Sequence, residues 1–319
     1  MKIAFHSNQL CERGSEIALY DYAYFNEKLL NNNSVIISNK NNDLKALEKF
    51  QRQFQVFLYD DFGEVDSFLK REDVDVFYAI KMGKNDGIIS SVCKTVIHCV
   101  FCADDPHGDV YACISPWVSR QQKKNLPTVP HMVHLLESEE DLRVQLNIPK
   151  EAIVFGRYGG YDTFDLTFAH KMISKIVHKR KDIFFLFMNT QPFYRSFFRK
   201  EHPQIIHLPS TIDVKKKAAF INTCDAMIHA RERGETFGLA IGEFSIKNKP
   251  VLTWGESLET NHLEILKDRA MVYSKSKDLY EIINNFQTSQ IKHQNWDAFS
   301  ADYASDKVMK KFAEVFLQA

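Results

Sequence analysis

The segment ERGETFGLAIGEF carries two glutamates, Glu235 and Glu243, separated by seven residues that are mostly small or apolar. The apolar run CDAMIHA precedes this segment and predicts a buried strand. The run KNKPVLTW follows it and predicts a helix end near Asn248 and then another strand, because Pro250 cannot continue a helix. The pattern therefore predicts a helix over residues 237–247, with Glu235 in the loop just before its first turn.

Two carboxylates in these positions suit the binding of a nucleotide sugar. The free N-terminus of a helix offers unpaired N–H groups and a partial positive charge to a phosphate. Glu235 would accept hydrogen bonds from hydroxyls at the helix start, and Glu243, about two turns further on, from a second pair of hydroxyls. The same residues permit a plainer interpretation, in which Glu235 is favoured by the helix dipole and Glu243 is a partly exposed helix residue.

The elements around this segment alternate regularly between strands and helices. Short runs such as KIAFHS, DVFYAI and IFFLFMN are continuously apolar, which is typical of strands covered on both faces of a parallel sheet. Between such runs lie helical patterns, among them EIALYDYAYFNEKLL and TFAHKMISKIVHKRK. Strand, helix and strand in repeated succession predict a doubly wound α/β architecture.

The length of 319 residues favours two domains or one large one. The stretch between the two halves holds a charged cluster and three prolines, Pro127, Pro130 and Pro149. We therefore predict a first domain over residues 1–130, a second over 131–300, and a terminal helix over 301–319 that is able to pack back on the first domain.

Composition excludes several classes of protein. Apolar residues make up 45% of the chain and charged residues 26%, which is typical of a globular protein. The net charge is zero, so no basic excess indicates a nucleic-acid partner. No apolar run reaches the roughly 18 residues of a membrane span, and MKIAFHSNQL reads as a strand and not as a signal peptide. Together with six scattered cysteines, this predicts free thiols and a cytoplasmic location, with a peripheral membrane contact left open.

The segment ERGETFGLAIGEFSIKNKPV resembles the E-x-F-G-x-x-x-x-E motif of retaining glycosyltransferases of the GT-B fold, in particular family 4, or glycosyltransferase group 1. The resemblance implies two Rossmann-like domains with a deep interdomain cleft, the first on the acceptor side and the second binding the nucleotide sugar. It implies that a sugar passes from a UDP-, GDP- or other nucleoside diphosphate sugar to a hydroxyl of a glycan, lipid or small molecule.

The resemblance also assigns roles within the motif. Glu235 would hold the donor sugar, and Glu243 would bind the ribose hydroxyls. The start of the helix would bind the donor diphosphate, and the donor-binding residues there are Thr236, Phe237, Gly238 and Leu239. The family has Pro-Ser before this motif, and this chain departs from it with His229 and Ala230.

A second motif of the family is only half present. The segment AIVFGRYGGYD predicts a strand that enters a glycine-rich turn, without the G-x-G-x-x-G spacing of dinucleotide-binding proteins. The family has an arginine and a lysine here that neutralise the donor diphosphate. Arg157 matches the arginine, whereas the lysine is missing. We hypothesise that Arg231 or Arg233 supplies the second charge; the alternative is that both are solvated loop residues.

The first domain offers weaker signals. Gly14 lies between the first strand and the first helix, where the family has a glycine-containing loop that faces the donor phosphate and the acceptor. His98, at the end of the strand TVIH, matches a histidine near the donor sugar, and its alternative is a core position. His107 is the second candidate for that histidine, and Lys81 would line the acceptor side unless it is a solvated loop residue.

These residues together predict a glycosyltransferase with Glu235, Arg157 and His98 as its catalytic residues. No Asp-x-Asp motif stands in a convincing place, and the lone pair Cys99 and Cys102 lacks the second ligand pair of a zinc site, so we expect no metal and no cofactor. Two alternatives remain open. One is a non-catalytic sugar-nucleotide-binding protein, and the other is a different GT-B activity, a nucleotide-sugar epimerase or a phosphorylase.

Overall fold

The computed structural model describes residues 1–121, 125–194 and 201–318 of the chain. The chain forms two compact units, the first comprising Met1–Met132 with Asp302–Ala319, and the second comprising Val133–Ala301. Each unit is built on a parallel six-stranded sheet. The fold is therefore mixed α/β, with two Rossmann-like units.

The sheet of the first unit forms from the continuously apolar runs of the N-terminal half. Its strands are β1 Lys2–Ser7, β2 Asn33–Asn39, β3 Gln55–Tyr59, β4 Val76–Lys81, β5 Lys94–Cys99 and β6 Val110–Cys113. They lie in the order β3-β2-β1-β4-β5-β6. Every residue of β4 is buried, as expected for a central strand of a parallel sheet.

Four helices connect or follow these strands. They are α1 Gly14–Leu30, α2 Leu44–Gln53, α3 Gly63–Arg71 and α4 Pro116–Gln121. Helix α2 begins where the Asp43 side chain accepts a hydrogen bond from the Ala46 amide, and α1 ends at Asn31, which is left-handed.

The second unit repeats this plan with a different set of strands. They are β7 Ile153–Tyr158, β8 Ile183–Met188, β9 Ile205–Leu208, β10 Ala226–His229, β12 Val251–Trp254 and β14 Ala270–Tyr273, in the order β14-β12-β10-β7-β8-β9. A separate two-stranded ribbon pairs β11 Gly234–Glu235 with β13 Glu259–Thr260. The helices are α5 Thr167–Lys179, α6 Val214–Thr223, α7 Leu239–Ile246, α8 Asn261–Leu266, α9 Ser276–Asn284 and α10 Thr288–Ile291.

The chain ends in helices that belong largely to the first unit. They are α11 Ser300–Tyr303 and α12 Ser305–Phe312, and α12 continues as a π-helical turn over Ala313–Leu317. The ring of Phe312 stacks on Tyr22 of α1 at a centroid distance of 5.4 Å. Within the described ranges, no helix has the length and hydropathy of a membrane span.

The strand order reverses once in each sheet. The reversal lies between β1 and β4 in the first unit and between β7 and β10 in the second. In open α/β sheets the loops that follow the strands at such a point form the usual ligand-binding crevice. In the second unit Arg157 lies near the end of β7, and Arg231 and Glu235 follow the end of β10.

Candidate functional site

Arg157 is a buried cation near the carboxyl end of β7. Only 4% of its surface is exposed. Its guanidinium donates to the hydroxyls of Thr190 and Thr163, each at 2.5 Å, and to the carbonyl oxygen of Gly160 at 3.0 Å. Burial lowers its pKa from 12.5 to about 10, partly opposed by the charge of Glu235, so the side chain is charged at neutral pH. It forms no ion pair with a carboxylate in the described part of the chain.

Glu235 lies in the ribbon strand β11 and interacts electrostatically with Arg157. Its Oε2 atom lies 2.9 Å from Nη1 of Arg231, and its Oε1 atom lies 3.5 Å from Nε2 of His229. Burial raises the pKa of Glu235, but the interactions with His229 and Arg231 outweigh it and bring the pKa down to about 2. The carboxylate is therefore ionised, and Arg157, Arg231 and Glu235 together carry a net positive charge.

Arg233 is paired with a different carboxylate. Its Nε atom lies 2.6 Å from Oε1 of Glu259, and 55% of the Arg233 side chain is exposed, against 6% for Glu259. Burial raises the pKa of Glu259, and Arg233 partly offsets this. Of the two arginines proposed to replace the missing lysine, Arg231 interacts with the Arg157 and Glu235 charges, whereas Arg233 is held by Glu259.

The helix that follows Glu235 begins two residues later than its predicted start. Gly238, with φ 95°, is the residue before α7, a left-handed conformation that delays the first turn to Leu239. Phe237 is 2% exposed and packs edge-on against the ring of Phe299, and Thr236 is also buried. No side chain caps the first turn of α7, so its amides retain the positive end of the helix dipole.

Glu243 lies on α7 and is paired with a lysine that the sequence analysis did not single out. Its side chain is 7% exposed, and its Oε1 atom lies 2.5 Å from Nζ of Lys217 on α6. The run VKKKAAF reads as a solvated helix face, and only the packing of α6 beside α7 identifies which of its lysines meets Glu243.

His98 lies near the end of a strand, as predicted, and its side chain is buried in the core. It is fully buried in β5, where Nδ1 lies 2.7 Å from the Tyr78 hydroxyl and Nε2 donates to the carbonyl oxygen of Val129 at 2.8 Å. Burial lowers the pKa of His98 to about 4, partly opposed by the bond to Val129. Both ring nitrogens are used inside the core, so the structure favours the core alternative over a catalytic role.

Lys81 and His107 lie together, and they are hydrogen-bonded to each other. The Lys81 ammonium donates to Asp86 at 2.5 Å, to the carbonyl oxygen of Ile88 at 3.3 Å and to Nε2 of His107 at 3.2 Å. His107 in turn donates from Nδ1 to the carbonyl oxygen of Asp105 at 2.6 Å. All three N–H groups of Lys81 are occupied, so this cluster ties down the loops after β4 and β5 in the first unit.

Gly14 is the exposed first residue of α1, and the loop before it is organised by a buried carboxylate. Glu16 accepts from the hydroxyls of Ser7 and Ser15 at 2.8 and 2.9 Å, and from the thiol of Cys11 at 3.2 Å. Sequence reasoning missed Glu16, since an acid in the first turn of a helix is unremarkable by itself.

The structure thus brings together Arg157, Arg231, Glu235 and the start of α7 in the second unit. The predicted residues of the first unit form a separate set. Across residues 1–121, 125–194 and 201–318, no group of three or more histidine, cysteine or acidic side chains is arranged to hold a metal ion.

Among known proteins, similarity to this chain is found in solved structures and not in family models or curated sequences. No family model and no curated protein matches it. A glycosyltransferase from Rickettsia africae ESF-5 matches with a TM-score of 0.74 at 13% sequence identity, covering 99% of this chain and 98% of that one. HepE of Anabaena, in complex with UDP and glucose, matches with a TM-score of 0.74 at 14% identity, covering 98% of each chain.

A third match has a different assigned activity. A Listeria monocytogenes protein assigned as a UDP-N-acetylglucosamine 2-epimerase has a TM-score of 0.62 at 11% identity, covering 100% of this chain and 97% of that one. These likenesses show that the chain has the GT-B fold of two Rossmann-like units, a fold shared with glycosyltransferases.

Proposed function

We propose that this chain is a retaining glycosyltransferase that moves a sugar from a nucleoside diphosphate sugar to an acceptor hydroxyl. The observation that carries the proposal is Arg157, a buried and charged guanidinium without an ion-pair partner in the described part of the chain, at the point where the strand order reverses. A buried cation that no carboxylate contacts is costly, and a diphosphate would compensate it. The Anabaena neighbour HepE, which binds UDP-glucose, supports this choice of ligand.

The polar groups of the candidate site would each bind a different part of such a donor. Arg157, Arg231 and the first-turn amides of α7 would bind the diphosphate, since all three offer positive charge or N–H donors. Glu235 is ionised and would accept hydrogen bonds from the sugar hydroxyls. Glu243, with one oxygen held by Lys217, would accept from the ribose hydroxyls.

The reaction requires that the donor and the acceptor are positioned and that the charge on the departing diphosphate is stabilised. The bond from the anomeric carbon to the diphosphate oxygen breaks, and a bond to the acceptor oxygen forms on the same face. The acceptor proton passes to the departing diphosphate oxygen. Arg157 and Arg231 would stabilise the negative charge that develops on the diphosphate, which is where preorganised cations contribute most. We propose that no metal ion takes part.

The epimerase-like neighbour supports a second candidate, a nucleotide-sugar epimerase. Incubation with the donor alone separates the two reactions. An epimerase converts the donor into its epimer without an acceptor, whereas a transferase releases at most free sugar and the nucleoside diphosphate. Unchanged donor across a panel of sugars would favour a non-catalytic sugar-nucleotide-binding protein.

Ligand-induced stabilisation tests the proposal. We expect at least one of UDP-, GDP-, ADP- and TDP-linked glucose to raise the melting temperature, since a ligand at 100 times its Kd stabilises the folded state by about 2.7 kcal/mol. Arg231→Gln should reduce the shift, and Arg233→Gln, at a pair held by Glu259, serves as the control. No shift with any nucleotide or sugar nucleotide would refute the proposal.

A further inference from the structure

His229 is buried at the end of β10 and faces the carboxylate proposed to hold the donor sugar. Only 4% of its surface is exposed. Its Nε2 atom has no hydrogen-bond partner at normal distance and lies 3.5 Å from Oε1 of Glu235. The Tyr273 hydroxyl donates to the carbonyl oxygen of His229 at 2.8 Å, which fixes the backbone at this point.

A chain of polar atoms continues from the other side of the His229 ring. Nδ1 of His229 lies 2.9 Å from the hydroxyl oxygen of Thr253, its register partner on β12. The same hydroxyl lies 3.1 Å from Nε2 of His262 on α8. Thr253 and His262 have no exposed surface, so the relay is closed to solvent.

The protons in this relay can be placed by assigning one donor and one acceptor to each contact. The Glu235 carboxylate is ionised and only accepts hydrogen bonds, so Nε2 of His229 must carry the proton that faces it. With a single proton on the ring, Nδ1 of His229 is then bare and accepts the Thr253 hydroxyl proton. In this arrangement the hydroxyl oxygen is free to accept from Nε2 of His262. The reverse order would set a lone pair of His229 against a carboxylate oxygen.

We infer that His229 is a positioning residue for the donor sugar, acting through Glu235. The ionised Glu235 and the Thr253 hydroxyl together favour the His229 tautomer with its proton on Nε2, and this N–H holds Oε1 of Glu235 while Arg231 holds Oε2. A movement of about 0.5 Å completes the hydrogen bond. The inference rests on the proposed donor site, and it gives a purpose to His229, the first of the two residues, His229 and Ala230, that stand in place of the family's Pro-Ser.

The tautomer can be measured without any ligand. Nitrogen-15 NMR of the histidine rings, at about pH 8, distinguishes a protonated ring nitrogen from a bare one, and the spectrum of His229→Gln identifies the His229 signals. We expect a protonated Nε2 and a bare Nδ1. A His229 ring with its proton on Nδ1 would overturn the inference. Because the NMR sample contains no ligand, this result does not depend on the proposed function.

Thr253 offers a matched pair of variants. Thr253→Val keeps the side-chain shape and removes the hydroxyl, whereas Thr253→Ser keeps the hydroxyl. Titration calorimetry with UDP-glucose and with UDP should show a loss of about tenfold in UDP-glucose affinity for Thr253→Val, because the carboxylate loses its orientation, with UDP affinity unchanged. Thr253→Ser should bind both within about twofold of the wild-type chain.

The outcomes separate positioning from general damage. Equal losses for UDP and UDP-glucose in Thr253→Val, or a loss of the same size in Thr253→Ser, would overturn the inference. If the wild-type chain binds neither UDP nor any sugar nucleotide, the proposed function fails, and the tautomer measured by NMR still decides whether the relay sets the His229 proton.

Discussion

Replacement of Arg157 by methionine separates a binding cation from a structural one. Methionine keeps an unbranched side chain of similar length, needs no hydrogen-bond partner and adapts to irregular surroundings. If Arg157 serves a ligand, its removal should leave the ligand-free protein close to its original stability and abolish most of the affinity for UDP. If Arg157 is instead structural, its removal should destabilise the ligand-free protein and leave the affinity for UDP unchanged.

The expected change in stability follows from two opposing contributions. The fall in the pKa of Arg157 from 12.5 to about 10 corresponds to roughly 3 kcal/mol of unfavourable burial, at about 1.4 kcal/mol for each factor of ten in proton affinity. Four hydrogen bonds to neutral oxygens, at about 1 kcal/mol each, oppose it. The hydroxyls of Thr163 and Thr190 keep other bonds, to the carbonyl oxygens of Gly160 and Met188. We therefore expect a net change below about 1.5 kcal/mol.

The expected change in binding is much larger. A diphosphate that loses two charge-assisted hydrogen bonds, each worth at least about 1.4 kcal/mol, should bind at least about 100-fold more weakly. Urea unfolding of the ligand-free chain gives the stability, and titration calorimetry with UDP gives the affinity.

Arg143 supplies the matched control in the same unit. It is paired with Asp225 at 2.9 Å and also donates to the carbonyl oxygen of Ala152 at 2.8 Å. Arg143→Met should destabilise the chain by about 2 kcal/mol or more, because it leaves a partly buried carboxylate without its partner, and it should leave UDP affinity unchanged. A loss of more than about 3 kcal/mol in Arg157→Met, with UDP affinity within twofold of wild type, would refute the assignment of Arg157 to the ligand.

Gly242→Ala in α7 should destabilise the second unit by about 1 kcal/mol in urea unfolding, because the added methyl group would lie 2.8 Å from Val133 and 2.9 Å from Phe299, and this overpacking outweighs the gain in helix propensity; a more stable variant would contradict this packing. Stability should also fall as the pH falls below about 6.5, because a buried neutral imidazole takes up its proton less readily in the folded chain than in the unfolded one. The buried histidines with pKa values of about 3 to 4 are His6, His98 and His262. Each should contribute about 1.4 kcal/mol per pH unit between about pH 6.5 and 4, and His98→Gln should give a shallower decline of the urea midpoint than wild type; an equally steep decline would argue against a neutral buried His98.

The alternation of strands and helices could be predicted because the signal is local. Runs such as IFFLFMN are apolar on both faces, and burial in a parallel sheet is the arrangement that satisfies them. The ribbon strands β11 and β13 were not predicted, since two residues carry no periodicity. The late start of α7 depends on the left-handed backbone of Gly238, which the apolar pattern around it does not reveal.

The candidate site could be predicted only where one stretch of sequence holds its residues. Glu235, Arg231 and the start of α7 are close in the chain, so the motif identifies them together. The partners of Glu243 and His229 come from other elements, Lys217 on α6 and Thr253 on β12. Pairing across elements depends on register and packing, and spacing along the chain contains neither.

The histidine of the first unit shows that position along the chain does not by itself predict a role. A histidine at a strand end matched the family pattern by position, but its role depends on which groups its two nitrogens meet. In this chain Tyr78 and Val129 satisfy both nitrogens of His98 inside the core. The same test gives another result for His229, whose Nε2 has no partner at normal distance and faces an ionised carboxylate.

The missing lysine is best judged by the charges that surround Arg157. A diphosphate carries at least two negative charges, and a site with one arginine beside one glutamate would have no net charge to offer. Arg231 changes this balance, because it interacts with both Arg157 and Glu235 and adds a second positive charge beside them. The first-turn amides of α7 add the partial positive charge of the helix. Because Arg231 also holds Oε2 of Glu235, the cation proposed to support the diphosphate and the carboxylate proposed to hold the sugar are fixed together. On this proposal the loop after β10 combines two roles that the family divides between separate segments.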